Sequence, residues 1–144
     1  MITLKKIIIL LLFIIPVNIK AYDTSATSAI LMEQETNRIL YAKNIHAKRS
    51  VASISKIMTA ILAIESDKLY DTITVTNVVN KAYGSGIYIK PGEEIKLIDL
   101  VYGLMLRSGN DAALQIANIV SENEMKFVEL MNEKAKQLKM DDTT

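Results

Sequence analysis

The sequence predicts a mixed α/β domain in which a β-hairpin precedes several helices. Two short apolar runs, 28–33 and 38–41, flank the polar segment 34–37, a pattern typical of a hairpin. Four later segments repeat their apolar residues at helical spacing, and one short strand-like run lies among them. Residues 22–144 are enough chain for one hydrophobic core. The pattern therefore indicates one mixed domain without an internal repeat.

An export signal is predicted ahead of this domain. Lys5 and Lys6 precede the apolar run 7–15, which Pro16 interrupts and Ala21 closes. The run is much shorter than the roughly 20 residues that a transmembrane helix needs, which makes an uncleaved anchor the weaker interpretation. Residues 1–21 are predicted to be a secretory signal peptide cleaved after Ala21. We therefore expect an exported protein.

Charge and composition exclude several classes of function. Cleavage would remove Lys5, Lys6 and Lys20 from 17 basic residues, which leaves 14 against 16 acidic residues and a net charge of −2. A chain of this charge gives no reason to expect nucleic acid as a partner. There is no cysteine, so neither a disulfide framework nor a lipid-modified cysteine is expected. The single histidine, His46, lies in a polar stretch and predicts no metal site.

The first predicted helix starts near Ser53, after the hairpin and a charged loop. Its apolar residues nearly surround the helix axis, which predicts a helix buried on all sides: Ile54, Ile57, Met58, Ile61, Leu62 and Ile64. Residues 72–75 then form a short predicted strand, and the glycine-containing segments 83–86 and 90–92 are predicted connectors.

Three further helices follow. The first covers 97–105 and should stop near residues 108–110, because Gly109 and Asn110 tolerate the left-handed conformation that ends many helices. Asp111 is predicted to begin the next helix, which continues through Val120. The last, an amphipathic helix, covers 123–138 and carries Phe127 on its apolar face.

Ser53 and Lys56 form the first candidate catalytic pair. Three residues turn a helix by about 300°, so the two side chains lie about 60° apart on one face and can meet. A serine hydroxyl becomes a good nucleophile when a base takes its proton, and burial favours the neutral, basic form of an amine. The alternative is structural: Ser53 caps the helix and Lys56 reaches water. Ser55 is a competing serine on a different face.

The segment Ser108-Gly109-Asn110 is the second candidate. It lies in the break between two predicted helices, where side chains can project into a cleft. The hydroxyl of Ser108 and the carboxamide of Asn110 could relay a proton and hold a substrate amide. As an isolated tripeptide, the segment is only a helix C-cap signal.

Taken together, these two segments resemble a known family. Residues 51–60, VASISKIMTA, and 104–113, LMLRSGNDAA, closely resemble the two signature blocks of the low-molecular-weight penicillin-binding proteins, the serine-type D-alanyl-D-alanine carboxypeptidases. Segments 28–32 and 39–44 resemble that family's opening hairpin, and 127–132 resembles its following helix. The resemblance covers residues 25–144. It implies the β-lactamase/transpeptidase-like fold, an antiparallel sheet with a helical subdomain, of which this chain holds the N-terminal part.

The resemblance also implies an activity and its residues. Ser53 would be the acylated nucleophile and Lys56 its base, while Ser108 and Asn110 would form the second catalytic element. The backbone N–H of Ser53 would donate one oxyanion hydrogen bond. The implied reaction removes the terminal D-alanine from a peptidoglycan stem pentapeptide and needs no cofactor. Implied partners are a stem peptide ending in D-Ala-D-Ala and β-lactam antibiotics, with peripheral membrane association through a C-terminal part missing from this chain. The implied location is outside the cytoplasm of a bacterium, in the cell wall or at the membrane.

Two departures from the family pattern bear on these expectations. Val51 stands where members commonly have proline, in the loop before the helix. The third family motif, Lys-Thr-Gly, has no counterpart in this sequence. We therefore expect a catalytic domain truncated after its first half, and residues 22–144 alone to be inactive and poorly folded. Two alternatives stay open: a class A-like β-lactamase, which normally carries aspartate where Gly109 stands, and a non-catalytic cell-wall-binding remnant.

Overall fold

The computed structural model of the protein describes residues 24–144. The predicted signal peptide, residues 1–21, therefore lies outside the described residues. Among the helices of residues 24–144, none is both long enough and apolar enough to cross a membrane. The described residues belong to two compact units, one that ends at Ala47 and one that spans Lys48–Thr144.

The first unit contains the predicted hairpin. Strands β1 (Ala29–Met32) and β2 (Ile39–Lys43) pair antiparallel, with Ala29 opposite Lys43, and the register shifts at the end of β1. The hairpin prediction is confirmed, and β2 continues two residues beyond its predicted end.

Glu33 organises the turn of this hairpin. Its carboxylate accepts hydrogen bonds from the backbone N–H groups of Glu35 at 2.9 Å and Thr36 at 2.8 Å, and also from the hydroxyl of Thr36. These donors, the Thr36 hydroxyl foremost, lower the pKa of Glu33 because they stabilise its charged form. The turn is thus held by a side chain that mimics a backbone acceptor.

The second unit is mainly helical and contains a two-stranded sheet. Its helices are preceded or separated by two short 3₁₀ turns, Ala52–Ser55 and Asn77–Lys81. In chain order its regular elements are α1 (Lys56–Glu65), β3 (Thr72–Thr74), β4 (Glu94–Lys96), α2 (Leu97–Arg107), α3 (Asn110–Ser121) and α4 (Glu124–Gln137). All four predicted helices are present, so the expected mixed α/β class is confirmed.

Strand β4 was not predicted, and it forms because β3 supplies its partner. The two strands pair antiparallel with Ile73 opposite Ile95. Beyond the ladder, Val75 donates its N–H to the carbonyl of Glu93 at 2.8 Å, and Gly92 donates to the carbonyl of Val75 at 2.9 Å. Gly92 has φ 90°, a value that glycine adopts without strain. The predicted turn at 90–92 thus leads the chain into its pairing with β3.

The core of this unit lies among α1, α2 and α3, and α4 covers α3. Its largest fully buried apolar side chains are Leu97, Leu100, Leu104 and Ile116. Burial of one such side chain stabilises a fold by about 1.5–3 kcal/mol. Phe127 of α4, which is 4% exposed, joins the same core. This core fixes the position of the loop between α2 and α3.

The prediction that the first helix is buried on all sides is wrong. The buried residues of α1 are Lys56, Thr59, Ala60 and Ala63. The isoleucines Ile57 and Ile64 are exposed instead, Ile57 by 49%. Met58, Ile61 and Leu62 are partly buried, and Leu62 packs against the core. The reason is steric: a face of small residues lets α1 approach α2 and α3 closely, which the isoleucines would prevent.

Candidate active site

Four predicted residues come together where the start of α1 meets the loop between α2 and α3. Ser53 lies exposed in the 3₁₀ turn that leads into α1, and Lys56, the first residue of α1, is only 9% exposed. Ser108 follows the last residue of α2, and Asn110 begins α3. Both are half-buried. Residues more than 50 positions apart in the sequence are thus neighbours in the fold.

Ser108 adopts the left-handed conformation at the end of α2, with φ 54° and ψ 37°. The sequence predicted this conformation for Gly109 or Asn110, and that prediction is wrong. Gly109 has φ −61° and is needed for space, since a Cβ there would lie 3.0 Å from Oδ1 of Asp111. A left-handed serine costs about 1–2 kcal/mol, which the hydrogen bonds of Ser108 offset.

Lys56 is the centre of the hydrogen-bond network. Its Nζ donates to the carbonyl oxygen of Ser108 at 2.8 Å, to Oγ of Ser108 at 2.9 Å and to Oδ1 of Asn110 at 2.6 Å. An ammonium group has three donors, and here three oxygens accept them. The buried lysine is therefore held in one position, directed at the loop between α2 and α3.

Ser53 is connected to Lys56 through Ser108. The hydroxyl of Ser108 donates to Oγ of Ser53 at 3.1 Å. Within residues 24–144, no hydrogen bond joins Ser53 directly to Lys56, although their helical spacing predicted that the side chains can meet. The competing Ser55 donates its hydroxyl to the carbonyl of Ala52 at 2.8 Å, and so is bound to its own turn. The geometry favours Ser53 over Ser55 as the reactive serine.

Asn110 connects the site to segment 83–86, which the sequence predicts only as a connector. Its Nδ2 donates to the carbonyl of Tyr83 at 2.6 Å, and its backbone N–H donates to the carbonyl of Ser85 at 2.8 Å. The hydroxyl of Ser85 donates in turn to the carbonyl of Ser108 at 2.7 Å. No local signal could reveal these contacts, because more than 20 residues separate the partners.

This loop also forms one wall of an open cavity beside Ser108. The cavity has a volume of about 370 Å³ and is lined by Ser85, Gly86, Tyr88, Met105, Leu106, Arg107 and Ser108. The lining is mixed, because Arg107 and the hydroxyl groups are polar whereas Met105 and Leu106 are apolar.

The titratable groups with resolved pKa shifts in the second unit lie away from this site. Lys126 Nζ is 2.6 Å from a carboxylate oxygen of Glu122, one helical turn earlier. This contact lowers the pKa of Glu122 and raises the pKa of Lys126. Across residues 24–144 no cluster of three or more His, Cys, Asp or Glu side chains could hold a metal ion, and His46 is exposed in its loop.

Comparison with known proteins supports the resemblance that the site residues carry. The sequence model of the family described as D-alanyl-D-alanine carboxypeptidase matches residues 16–144. The chain belongs to this family. The predicted resemblance is thus confirmed over nearly the whole chain.

Individual members of the family show how much of a typical protein the chain represents. It is 36% identical over 124 residues to D-alanyl-D-alanine carboxypeptidase DacF of Bacillus subtilis, covering 83% of this chain and 32% of that protein. The crystal structure of DacD from Francisella tularensis matches with a TM-score of 0.79 at 31% identity, over 85% of this chain and 31% of the other. Penicillin binding protein 6B from Escherichia coli matches with a TM-score of 0.75 at 30% identity, over 88% and 44% of the two chains. The chain spans about a third of the length of the curated relatives that it matches.

Both crystal structures come from penicillin-binding or D-alanyl-D-alanine carboxypeptidase proteins, so the expected β-lactamase/transpeptidase-like fold is confirmed for the part of that fold which this chain represents.

Proposed function

We propose that this chain carries the nucleophile and the proton-transfer residues of a serine-type D-alanyl-D-alanine carboxypeptidase, which removes the terminal D-alanine of peptidoglycan stem pentapeptides. The observation that carries the proposal is the continuous hydrogen-bonded path from Ser53 through Ser108 to the buried Lys56. A path of this kind connects a solvent-facing hydroxyl to a nitrogen that can accept its proton. Family membership supplies the substrate class.

The path accounts for acylation. When Lys56 is neutral, the Ser108 hydroxyl can rotate to donate to Nζ and accept from Ser53. Oγ of Ser53 then attacks the carbonyl carbon between the two D-alanines, its proton passes to Ser108, and the Ser108 proton passes to Lys56. As the C–N bond breaks, the same path returns a proton to the leaving amine of D-alanine. An ester on Ser53 remains, and water hydrolyses it to release the shortened peptide and restore the hydroxyl.

The 3₁₀ turn around Ser53 provides a candidate oxyanion donor. The N–H of Ser53 lies at the start of this turn, where backbone donors have no intrahelical partner. Ala52, the preceding residue, has φ 44°, an uncommon value for alanine that sets the direction of this N–H. We assign the Ser53 N–H to the oxyanion of the tetrahedral intermediate, where one such donor typically contributes 100- to 1,000-fold in rate.

Family membership favours a carboxypeptidase over a class A-like β-lactamase. A non-catalytic cell-wall-binding remnant would not need a buried lysine whose three acceptors all belong to the loop beside the nucleophile. The proposed substrate, together with the predicted signal peptide, supports an extracytoplasmic site of action. Stem peptides ending in D-Ala-D-Ala and β-lactams are the proposed ligands.

Covalent labelling with a fluorescent penicillin tests the proposal. A β-lactam resembles the acyl-D-Ala-D-Ala end, and its leaving nitrogen stays tethered, so the acyl-enzyme persists. A full-length protein, in which this chain is joined to the rest of the family's catalytic domain, should be labelled on Ser53, as peptide mass spectrometry would show. Ser53→Ala should abolish labelling, while the matched control Ser55→Ala should retain it. Labelling that survives Ser53→Ala, or is lost only in Ser55→Ala, would contradict the assignment.

A chimera tests the carboxypeptidase activity itself. The matched part of this chain would replace the aligned 124 residues of DacF of Bacillus subtilis, which leaves the rest of that protein intact. D-Alanine release from a stem pentapeptide is expected from the chimera and not from its Ser53→Ala variant. A folded chimera that neither is labelled by penicillin nor releases D-alanine would support the non-catalytic alternative.

A further inference from the structure

Asp111 is a buried carboxylate that the proposed reaction does not use. It lies in the first turn of α3, next to Asn110, and is 5% exposed. Oδ2 accepts the backbone N–H groups of Ile87 at 3.1 Å, Tyr88 at 2.6 Å and Ile89 at 3.3 Å. Oδ1 accepts the N–H of Ala112 at 2.8 Å and shares that of Ile87 at 3.1 Å. Four backbone donors therefore converge on one side chain.

The surrounding backbone is shaped to bring the loop this close. A Cβ on Gly86 would lie 3.1 Å from Oδ2 of Asp111, and a Cβ on Gly109 would lie 3.0 Å from Oδ1. Both distances are tighter than ordinary van der Waals contact, so a larger residue at either position would push against the carboxylate. Tyr88 adopts φ 62°, a left-handed value that costs energy for a tyrosine and persists only when other contacts hold it. The Asp111 hydrogen bond to its N–H is one such contact.

Asp111 and Asn110 hold the same loop from adjacent positions. Asn110 contacts the loop through the carbonyls of Tyr83 and Ser85, whereas Asp111 binds the N–H groups that follow. Because Ser85 also donates to the Ser108 carbonyl, displacement of the loop would disturb two of the three acceptors of Lys56. The loop is thus coupled to the proton path through Asn110 and Ser108.

We propose that Asp111 is a positioning residue, whose carboxylate fixes the backbone of residues 86–89 so that this loop holds Asn110 and Ser108 against Lys56. It touches no reacting atom. It acts by keeping the acceptors of Lys56, and the cavity wall formed by Ser85 and Tyr88, in place. The catalytic half of this inference rests on the proposed function, whereas the order of the loop can be measured without it.

Two variants of the full-length protein perturb this contact in different ways. Asp111→Asn keeps the shape but replaces one acceptor oxygen with an NH₂ group, which cannot accept the clustered N–H groups. Gly86→Ala keeps the carboxylate and pushes the loop away from it. Asp99→Asn is the matched control, because Asp99 is an exposed acid in the first turn of the preceding helix, α2.

Two measurements distinguish a positioning role of Asp111 from a role in stability alone. Backbone amide hydrogen exchange should become faster at Ile87, Tyr88 and Ile89 in both variants, and stay unchanged in Asp99→Asn. The acylation rate constant of the folded protein with fluorescent penicillin should fall about 10- to 100-fold, the scale of a small misplacement of catalytic groups. A purely structural role would lower only the fraction of protein that can be labelled, or the melting temperature, and leave the rate constant of the folded fraction unchanged.

Either of two results would overturn the inference. The first is wild-type exchange at Ile87–Ile89 in Asp111→Asn and Gly86→Ala. The second is faster exchange in these amides with a wild-type acylation rate constant. Absence of any labelling in the wild-type protein would instead count against the proposed function, and the exchange data would still decide whether Asp111 orders the loop.

Discussion

Replacement of Lys56 by arginine tests the proton path most directly. The lysine Nζ lies 2.6–2.9 Å from three oxygens and is almost fully buried. A guanidinium keeps the positive charge and the hydrogen-bond donors that these oxygens need, but it does not deprotonate in proteins. Lys56→Arg therefore removes the proposed base and largely preserves the electrostatics of the site.

The expected loss follows from the role assigned to Lys56. General base catalysis typically contributes about 10²–10⁴-fold, or roughly 3–5 kcal/mol in the activation free energy. The acylation rate constant should fall by that factor. The rate is measured by stopped incubation of the full-length protein with fluorescent penicillin, and the folded fraction is determined from its thermal melt.

Lys68→Arg provides the matched control. Lys68 is half-buried and donates to the carbonyl of Ile119 at 2.8 Å, which is not part of the hydrogen-bond network of Ser53, Lys56 and Ser108. Its replacement should leave acylation unchanged. A Lys56→Arg protein that acylates at near the wild-type rate would refute the general-base role and leave Lys56 an electrostatic one.

Two further predictions concern the fold. Gln115→Ala should lower the free energy of unfolding by about 2–4 kcal/mol in a denaturant titration. The substitution leaves a cavity and removes the oxygen that accepts the N–H and the hydroxyl of Thr76. Gln137 is exposed, so the control Gln137→Ala should change the free energy of unfolding little. Ile57 is exposed and lines an apolar cavity of about 380 Å³, so residues 22–144 are expected to self-associate in analytical ultracentrifugation and Ile57→Lys to reduce that association; association unchanged by the substitution would show that this face is not responsible.

The helices could be predicted from the sequence because each one carries its own apolar periodicity. The amphipathic α4 is an example: Phe127 and Ala135 lie on its buried face, as expected. Strand β4 could not be predicted, since Glu94 and Lys96 flank a single isoleucine and the segment is a strand only through its pairing with β3. The local sequence pattern predicts an element that buries an apolar face of its own. It does not predict a strand that forms only because another strand pairs with it.

The candidate site could also be predicted only in part from the sequence. The types and spacing of Ser53, Lys56, Ser108 and Asn110 were sufficient to select them, and the structure brings all four together. The sequence did not reveal that Ser108 bridges the serine and the lysine, because that depends on the left-handed turn of Ser108. Nor does the sequence reveal the contacts of Asp111, because it predicts only that a helix begins there. Its partners are backbone N–H groups more than 20 positions away, and backbone donors leave no trace in side-chain identity.

The geometry of α1 explains why one short segment can hold both an exposed nucleophile and a buried base. Lys56, Ala60 and Ala63 are spaced by four and three residues, so they form one stripe along the helix. The alanines, at 6% and 0% exposure, bring this stripe close to α2 and α3, and the lysine at its end is consequently directed into the junction where those helices meet. Ser53 precedes it in the 3₁₀ turn, beyond the packed surface, and so stays open to solvent. The two alanines that allow close packing therefore also bury the lysine and leave the serine accessible. A larger residue at position 60 should displace Lys56 from Ser108 and destabilise the core.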